Sequence, residues 1–230
     1  MPKKGESIKL IPKIPYVILC EGRDEELFLR CYVSHLVEGK WLRILQYYQL
    51  GGNEELQKKL RVLHSVEYYD HMQGFLIIRD AEASAVNAAR SLQKSMNAAF
   101  DMDIPLDGRF TQNSEGIRFG FVLLPGKNDE GDFCDGTLED LCCQILRESP
   151  KEFSGNDLLK LSHSYLEAVE QKRQTPLRTA HKNQLHAYLS GTDRFVGLKI
   201  GEAARAQCFD FSSPALDSFL SSFNTRYIVT

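Results

Sequence analysis

Four segments of strand length punctuate the chain up to Leu124, and stretches with helical spacing lie between and after them. Ile14–Cys20 is a compact run of β-formers that ends at Glu21-Gly22. From Arg23 to about Val37, the residues Leu27, Phe28, Cys31, Tyr32 and Leu36 recur every three or four positions, the period of a helix with one apolar face. Leu42–Leu50 reads as a second strand closed by Gly51-Gly52, and Glu54–His64 as a short helix with Leu56, Leu60 and Leu63 on one side. Gly74–Arg79 is again almost wholly apolar and runs straight into Asp80-Ala81-Glu82. Ala83–Phe100 carries Val86, Ala89, Leu92, Met96 and Phe100 at helical spacing. A fourth strand, Gly116–Leu124, leads through Pro125-Gly126 and the polar stretch Lys127–Asp135 to a helix over Leu138–Arg147. Further helices are expected at about Asn156–Lys172, Leu177–Leu189 and Ser213–Phe223.

Strands that are apolar throughout and divided by helices imply a parallel sheet covered on both faces. Right-handed crossovers then bring the C-terminal ends of all these strands to one side. The expected fold is therefore α/β, an open, mainly parallel four-stranded sheet flanked by helices, with a helix-rich C-terminal portion. Residues 1–13 read as a loose basic lead-in, 14–150 as the α/β domain, and 151–230 as a helical extension packed on it.

Composition narrows the classes. A hydrophobic share of 43% and a charged share of 26% over 230 residues are those of an ordinary globular protein with a sizeable core. A formal charge of −3 argues against a non-specific DNA coat protein. Basic clusters at Lys58, Lys59 and Arg61, and at Lys172, Arg173, Arg178 and Lys182, read first as solvated surface. The six cysteines form no CxxC pair and read as small hydrophobes in a reducing compartment. No signal peptide and no membrane-spanning run is visible, so the expected location is the cytoplasm, away from membranes.

Two of these strands end in acid. The first delivers Glu21 and the third delivers Asp80 with Glu82, on the side of the sheet where ligand sites form in open α/β folds. Carboxylates crowded at one edge repel, so at neutral pH either some are protonated or a cation lies among them. Mg²⁺ or Mn²⁺, which take oxygen ligands, suit such a set. Taken singly, each acid is equally an N-terminal helix cap. Glu25 stands one helical turn beyond Glu21 and faces the same crevice, whereas Asp24 points about 100° away. Glu139 opens the helix after the fourth strand; Asp140 and the loop acids Asp129, Glu130, Asp132 and Asp135 read as solvent-facing. The backbone of Gly51-Gly52, between a strand and a helix, is a candidate contact for phosphate, and Arg23 and Lys127 join it as candidates for substrate binding. His181, Lys182 and His186 read as a polar helix surface; the two histidines, five apart, do not form a zinc pair on one face.

The segment from Val17 to Glu25 (VILCEGRDE) resembles the first Toprim motif, an apolar strand followed by E-G-x-x-D/E, and Phe75–Glu82 (FLIIRDAE) resembles the second, an apolar strand followed by D-x-D. Gly51-Gly52, and Pro125 with Gly136-Thr137-Leu138-Glu139, resemble features of small stand-alone Toprim-related proteins of the overcoming-lysogenization-defect nuclease kind. The resemblance covers roughly residues 14–145 and departs from the family where Glu82 stands in place of a second Asp. It implies catalytic Glu21, Asp80 and Glu82, and a Mg²⁺ or Mn²⁺ site drawn from Glu21, Glu25, Asp80, Glu82 and Glu139.

The function this implies is Mg²⁺-dependent phosphodiester chemistry on nucleic acid, with nuclease-type hydrolysis first, because the chain lacks the gate domains of a topoisomerase and the zinc module of a primase. A second reading is a non-catalytic partner or regulator that keeps the fold and binds metal or nucleic acid. A third is a D-x-D phosphatase or phosphotransferase, against which stands the position of the acid pair after the third strand. A nucleic-acid or nucleotide substrate, a protein partner and a homodimer all remain open at this point.

Overall fold

The structure is a computed structural model and describes residues 16–36, 45–49, 56, 60, 72–100, 102–148, 155–217 and 219. Its centre is a mixed sheet. Strands β1 (Tyr16–Cys20), β2 (Leu45–Gln49) and β3 (Gly74–Asp80) are parallel, the two-residue β4 (Thr111–Gln112) forms an antiparallel edge, and β5 (Arg118–Leu124) runs parallel to β3. The spatial order is β2-β1-β3-β5-β4.

Period-two alternation sorts the strand side chains onto two cores. Ile18, Cys20, Leu76, Ile78, Val122 and Leu124 point to one face. Val17, Leu19, Phe75, Ile77, Phe119, Phe121 and Leu123 point to the other. Helix α1 (Arg23–Leu36) covers the first face with Phe28, Leu29, Tyr32 and Val33, and α2 (Ala85–Phe100) covers the second with Ala89, Leu92, Met96 and Phe100. Each Phe, Leu, Val or Met side chain among them is worth about 1.5–3 kcal/mol when fully buried. A one-residue slip of β3 would exchange Ile78 for Arg79 on the first face, so packing fixes the register and with it the direction in which Asp80 points.

The remaining helices are α3 (Leu138–Glu148), α4 (Gly155–Arg173), α5 (Ala180–Ser190) and α6 (Ile200–Arg205), followed by a 3₁₀ turn at Pro214–Leu216. They complete the first face. Leu141, Ile145, Leu159, Leu185, Tyr188, Phe209 and Phe219 join Ile18 and Ile78 in one buried cluster, so residues on both sides of position 150 share a core. Among the described residues no helix is long and apolar enough to cross a membrane.

Several elements depart from the expected pattern. β4 and α6 were not anticipated; at two and six residues they are too short to show a period. Helix α5 begins at Ala180 rather than Leu177, because the Leu177 amide donates to Glu170 Oε1 at 2.7 Å in the loop before it. Of the helix expected at Ser213–Phe223, the described part is the 3₁₀ turn, capped by Ser213, with Asp217 and Phe219 helical beyond it. Of the expected helix over Glu54–His64, only Leu56 and Leu60 are described, and both are buried and helical.

Candidate functional site

The chain leaves β1 for β2 by way of α1 on one face, and leaves β3 for β5 by way of α2 on the other. The C-terminal ends of β1 and β3 are therefore where the crossovers part, the place in an open α/β sheet where a crevice forms. Cys20 pairs with Ile78 in register, so Glu21 stands beside Arg79 as β1 ends. Both acid-bearing turns open onto this point.

Asp80 is held from an unexpected direction. The Leu138 amide, the first of α3, donates to Asp80 Oδ1 at 2.9 Å across 58 positions of sequence. An otherwise orphaned helix N-terminal amide is thus satisfied by a strand-end carboxylate. At the same end of α3, Asp140 Oδ2 accepts from the Thr137 amide at 2.8 Å and from its hydroxyl at 3.1 Å. Asp140 is thus a cap, not a solvent-facing acid. Asp135 is exposed, as expected, and its Oδ1 also accepts from the Ala85 amide at 2.7 Å, closing the start of α2. Asp24, which the helix period turns away from Glu21, accepts from the Gly201 amide at the start of α6, 2.9 Å away.

Glu25 folds back toward the strand end. A Cβ placed on Gly22 would lie 2.8 Å from Glu25 Oε2, so the glycine leaves the space this carboxylate occupies. Glu139, one residue into α3, is buried and meets Lys182 Nζ of α5 at 3.6 Å. Glu21 meets Arg79 Nε at 3.7 Å, longer than a hydrogen bond. Both Glu21 Oε2 and Arg79 Nη1 are buried atoms without a hydrogen-bond partner.

Electrostatics show how closely these acids interact. Asp80 is pushed up from 3.8 to about 8, first by burial, then by Glu25, with Glu139 and Glu21 adding to it. The Leu138 hydrogen bond pulls the other way and loses. Glu25 is raised by burial and by Glu21, Asp24 and Glu139, against its own backbone hydrogen bond. Burial works against the charge of Lys182, yet Glu139, Asp80 and Glu82 outweigh it and hold the ammonium above the usual lysine range. One patch of the molecule therefore has more negative charge than its surroundings neutralise.

The other expected site residues are placed as follows. Glu82 is exposed, adopts the left-handed region at φ 56°, and exchanges two backbone hydrogen bonds of 2.8 Å with Gly136; its charge acts on Lys182. Its left-handed backbone costs of order 1–3 kcal/mol, which the paired bridge to Gly136 offsets. Arg23 is largely exposed and pairs with Glu26 at 2.9 Å, pointing along α1. Lys127 lies 4.7 Å above the Phe133 ring within the loop after β5. Gly51 and Gly52 lie outside the described residues.

Three residues near these acids escaped the sequence reading. Lys182 and His181 were assigned to a polar surface, but Lys182 reaches Glu139 and His181 Nδ1 lies 3.9 Å from Asp140 Oδ2. Arg79 was hidden inside an apolar strand; a charged residue in the last turn of such a run was the available signal.

A family model described as Protein of unknown function (DUF3226) matches residues 15–227. The chain belongs to DUF3226. The match spans the sheet and the helices that follow it, so the acids of the strand ends and Lys182 fall within one family unit. Neither among curated proteins nor among solved structures does anything match this DUF3226 chain.

Among the described residues, no three His, Cys, Asp or Glu side chains are grouped as a ready cage for a metal ion. The donors fit a hard divalent cation in kind: all are carboxylate oxygens, one buried oxygen, Glu21 Oε2, lacks a hydrogen-bond partner, and Asp80 is driven toward its protonated form first by burial and then by the neighbouring carboxylates. Closing them to coordination distance asks for rotation of the glutamate side chains, which have three soft torsions each.

Proposed function

We propose that this DUF3226 protein carries out divalent-cation-dependent phosphodiester chemistry on nucleic acid, with hydrolysis as the reaction. The reading is carried by the gathering of acids at the switch point of the sheet, where Asp80 and Glu25 are raised first by burial and then by the neighbouring carboxylates. Sites that must hold Mg²⁺ or Mn²⁺ beside a phosphate are built from two or three such carboxylates with room left for water. The resemblance of the β1 and β3 segments to the Toprim motifs supports the same reading.

Glu25, Asp80 and Glu139 are the residues that would hold the cation. Bound there, it would neutralise and polarise a phosphate group. Glu21, partly exposed, would take a proton from attacking water. Lys182, kept protonated by three carboxylates, would meet charge building on the phosphate. Asp80 keeps one oxygen on the Leu138 amide, which orients the other.

A second reading, a non-catalytic partner that retains the site, is favoured by one observation: part of Asp80's capacity is spent on capping α3. The test is cleavage of short labelled RNA and DNA oligonucleotides with Mg²⁺, Mn²⁺ or EDTA. Metal-dependent cleavage by the wild-type chain, lost in Glu21→Gln, supports the enzyme. Binding of oligonucleotides without cleavage under any metal supports the partner.

A further inference from the structure

Helix α4 carries more apolar positions than its packing within the chain uses. Leu159 and Leu166 are buried, yet Leu158, Leu161, Tyr165 and Val169 repeat on a second stripe at spacings of three and four, and Leu161 and Tyr165 are 65% and 61% exposed. This stripe is one wall of an open groove of about 730 Å³, whose other wall is built from Leu177, Asn183 and Ala187, before and along α5. The two helices are antiparallel neighbours: a Cβ on Gly191 would lie 2.8 Å from Leu158 Cδ1, and the Leu177 amide is tied to Glu170. The Ser162 hydroxyl lines the groove but donates to the Leu159 carbonyl at 2.8 Å, so it asks nothing of an occupant. We propose that a second copy of this chain covers the groove, with α4 lying antiparallel against α4 of the other copy about a two-fold axis at Tyr165.

Two features of α4 select a second copy over an unrelated partner. The first is the balance of the stripe about Tyr165. In an antiparallel pair centred there, residues equally far on either side of the centre meet. Leu161 then faces Val169 of the other copy, and Ser162 faces Ala168, small against small, which lets the backbones approach. Leu158 faces Lys172, whose aliphatic stem can cover it. The second feature is charge. Asp157 stands in the first turn of α4, eight residues before Tyr165, and Arg173 in the last turn, eight residues after it, with Lys172 alongside. Antiparallel pairing sets Asp157 of each copy against Arg173 of the other, twice, and opposes the two helix dipoles. Parallel pairing would set like charge against like. No carboxylate lines the groove to repel the incoming Asp157. The present partner of Asp157 is Lys160 at 3.9 Å, and an ion pair between two such exposed side chains is too weak to hold it back. With α5 beside it, the 19-residue α4 presents a face of roughly 600 Å², near the lower end of what each side of a specific pair buries, which puts the expected dissociation constant in the micromolar range.

The experiment is sedimentation velocity on the full chain from about 1 to about 100 µM, where a micromolar pair passes from monomer to dimer. The wild type is expected to make that passage. Leu161→Glu and Tyr165→Glu, both at exposed positions, should each weaken the dimer by more than about tenfold, and melting curves establish that each variant is folded. Asp157→Lys and Arg173→Glu should each weaken it by about fivefold or more, since each puts like charges together at two places in the pair. The double variant Asp157→Lys/Arg173→Glu opposes unlike charges again and should return to within about twofold of the wild type. A wild type that stays monomeric throughout would overturn the proposal and leave the groove to a different protein. A dimer indifferent to Leu161→Glu and Tyr165→Glu would place the pairing on another face and overturn it as well. A dimer broken by those two variants but not recovered in the double charge reversal would overturn the antiparallel arrangement.

Discussion

Replacing Asp80 by Asn separates a strained metal ligand from a simple helix cap. Asn keeps an oxygen to accept the Leu138 amide at the position Asp80 Oδ1 now holds, and removes the charge. Because the folded-state pKa of Asp80, about 8, lies above its ordinary 3.8, folding takes up a proton between roughly pH 4 and pH 8. Stability conferred by the rest of the fold is therefore eroded as pH rises through that window, and the erosion is complete above it. At about 1.4 kcal/mol per unit, the ceiling at pH 8 is roughly 6 kcal/mol. Structural relaxation and water entry reduce this to about 2–3 kcal/mol. For a chain of this length that is roughly 5–10 °C in Tm. Thermal melts in EDTA should show Asp80→Asn more stable than wild type by this amount at pH 8, and by about a quarter as much at pH 5. With Mn²⁺ at a hundredfold excess over Kd the wild type should gain about 2.7 kcal/mol, and the variant should gain almost nothing. A variant less stable than wild type at pH 8 in EDTA would refute the reasoning, since Asp80 would then be an ionised cap whose charge the fold welcomes.

Other perturbations probe the site from different sides. Gly22→Ala puts a methyl where Glu25 folds back; melting should shift by less than about 1 kcal/mol because the side chain gives way, while Mn²⁺ affinity falls by about tenfold. Lys182→Met removes a cation that favours ionised Glu139 and Asp80, so the pH of half-maximal Mn²⁺ binding should rise by about one unit in a pH series of titrations. Gly201→Ala brings a methyl to 2.6 Å from Leu27 Cβ where α6 crosses α1, and should cost about 1–3 kcal/mol in a denaturant melt without altering the stoichiometry of metal binding.

The sheet was legible because β1 and β3 are buried on both sides. Tyr16–Cys20 and Gly74–Ile78 are apolar throughout, and residues so uniformly apolar within so short a span suit an interior parallel strand. The acids were legible for the same reason, as abrupt carboxylates after apolar runs. Their individual duties were harder to read. The capping of α3 by Asp80 and of α6 by Asp24 joins positions far apart in sequence, and no local pattern distinguishes such a cap from a ligand. Lys182 belongs to a helix of low amphipathicity whose orientation is settled by packing of Leu185, Tyr188 and Leu189, so its approach to Glu139 is a tertiary fact. Arg79 was passed over because a lone charge at the end of an apolar strand is ordinarily a boundary marker. Here it is enclosed.

The shared core has a consequence for how this protein can be divided or inherited. Tyr188, Phe209 and Phe219 share one buried cluster with Phe28 and Tyr32, Phe209 and Phe219 lying against those two rings, so a fragment ending after α3 would show the apolar outer sides of α1 and α3 to solvent. Such a fragment should associate with itself instead of standing alone. The segment that carries Lys182 is for that reason not a detachable module, and a lineage that loses it loses the lid of its own interior together with one charge of the site.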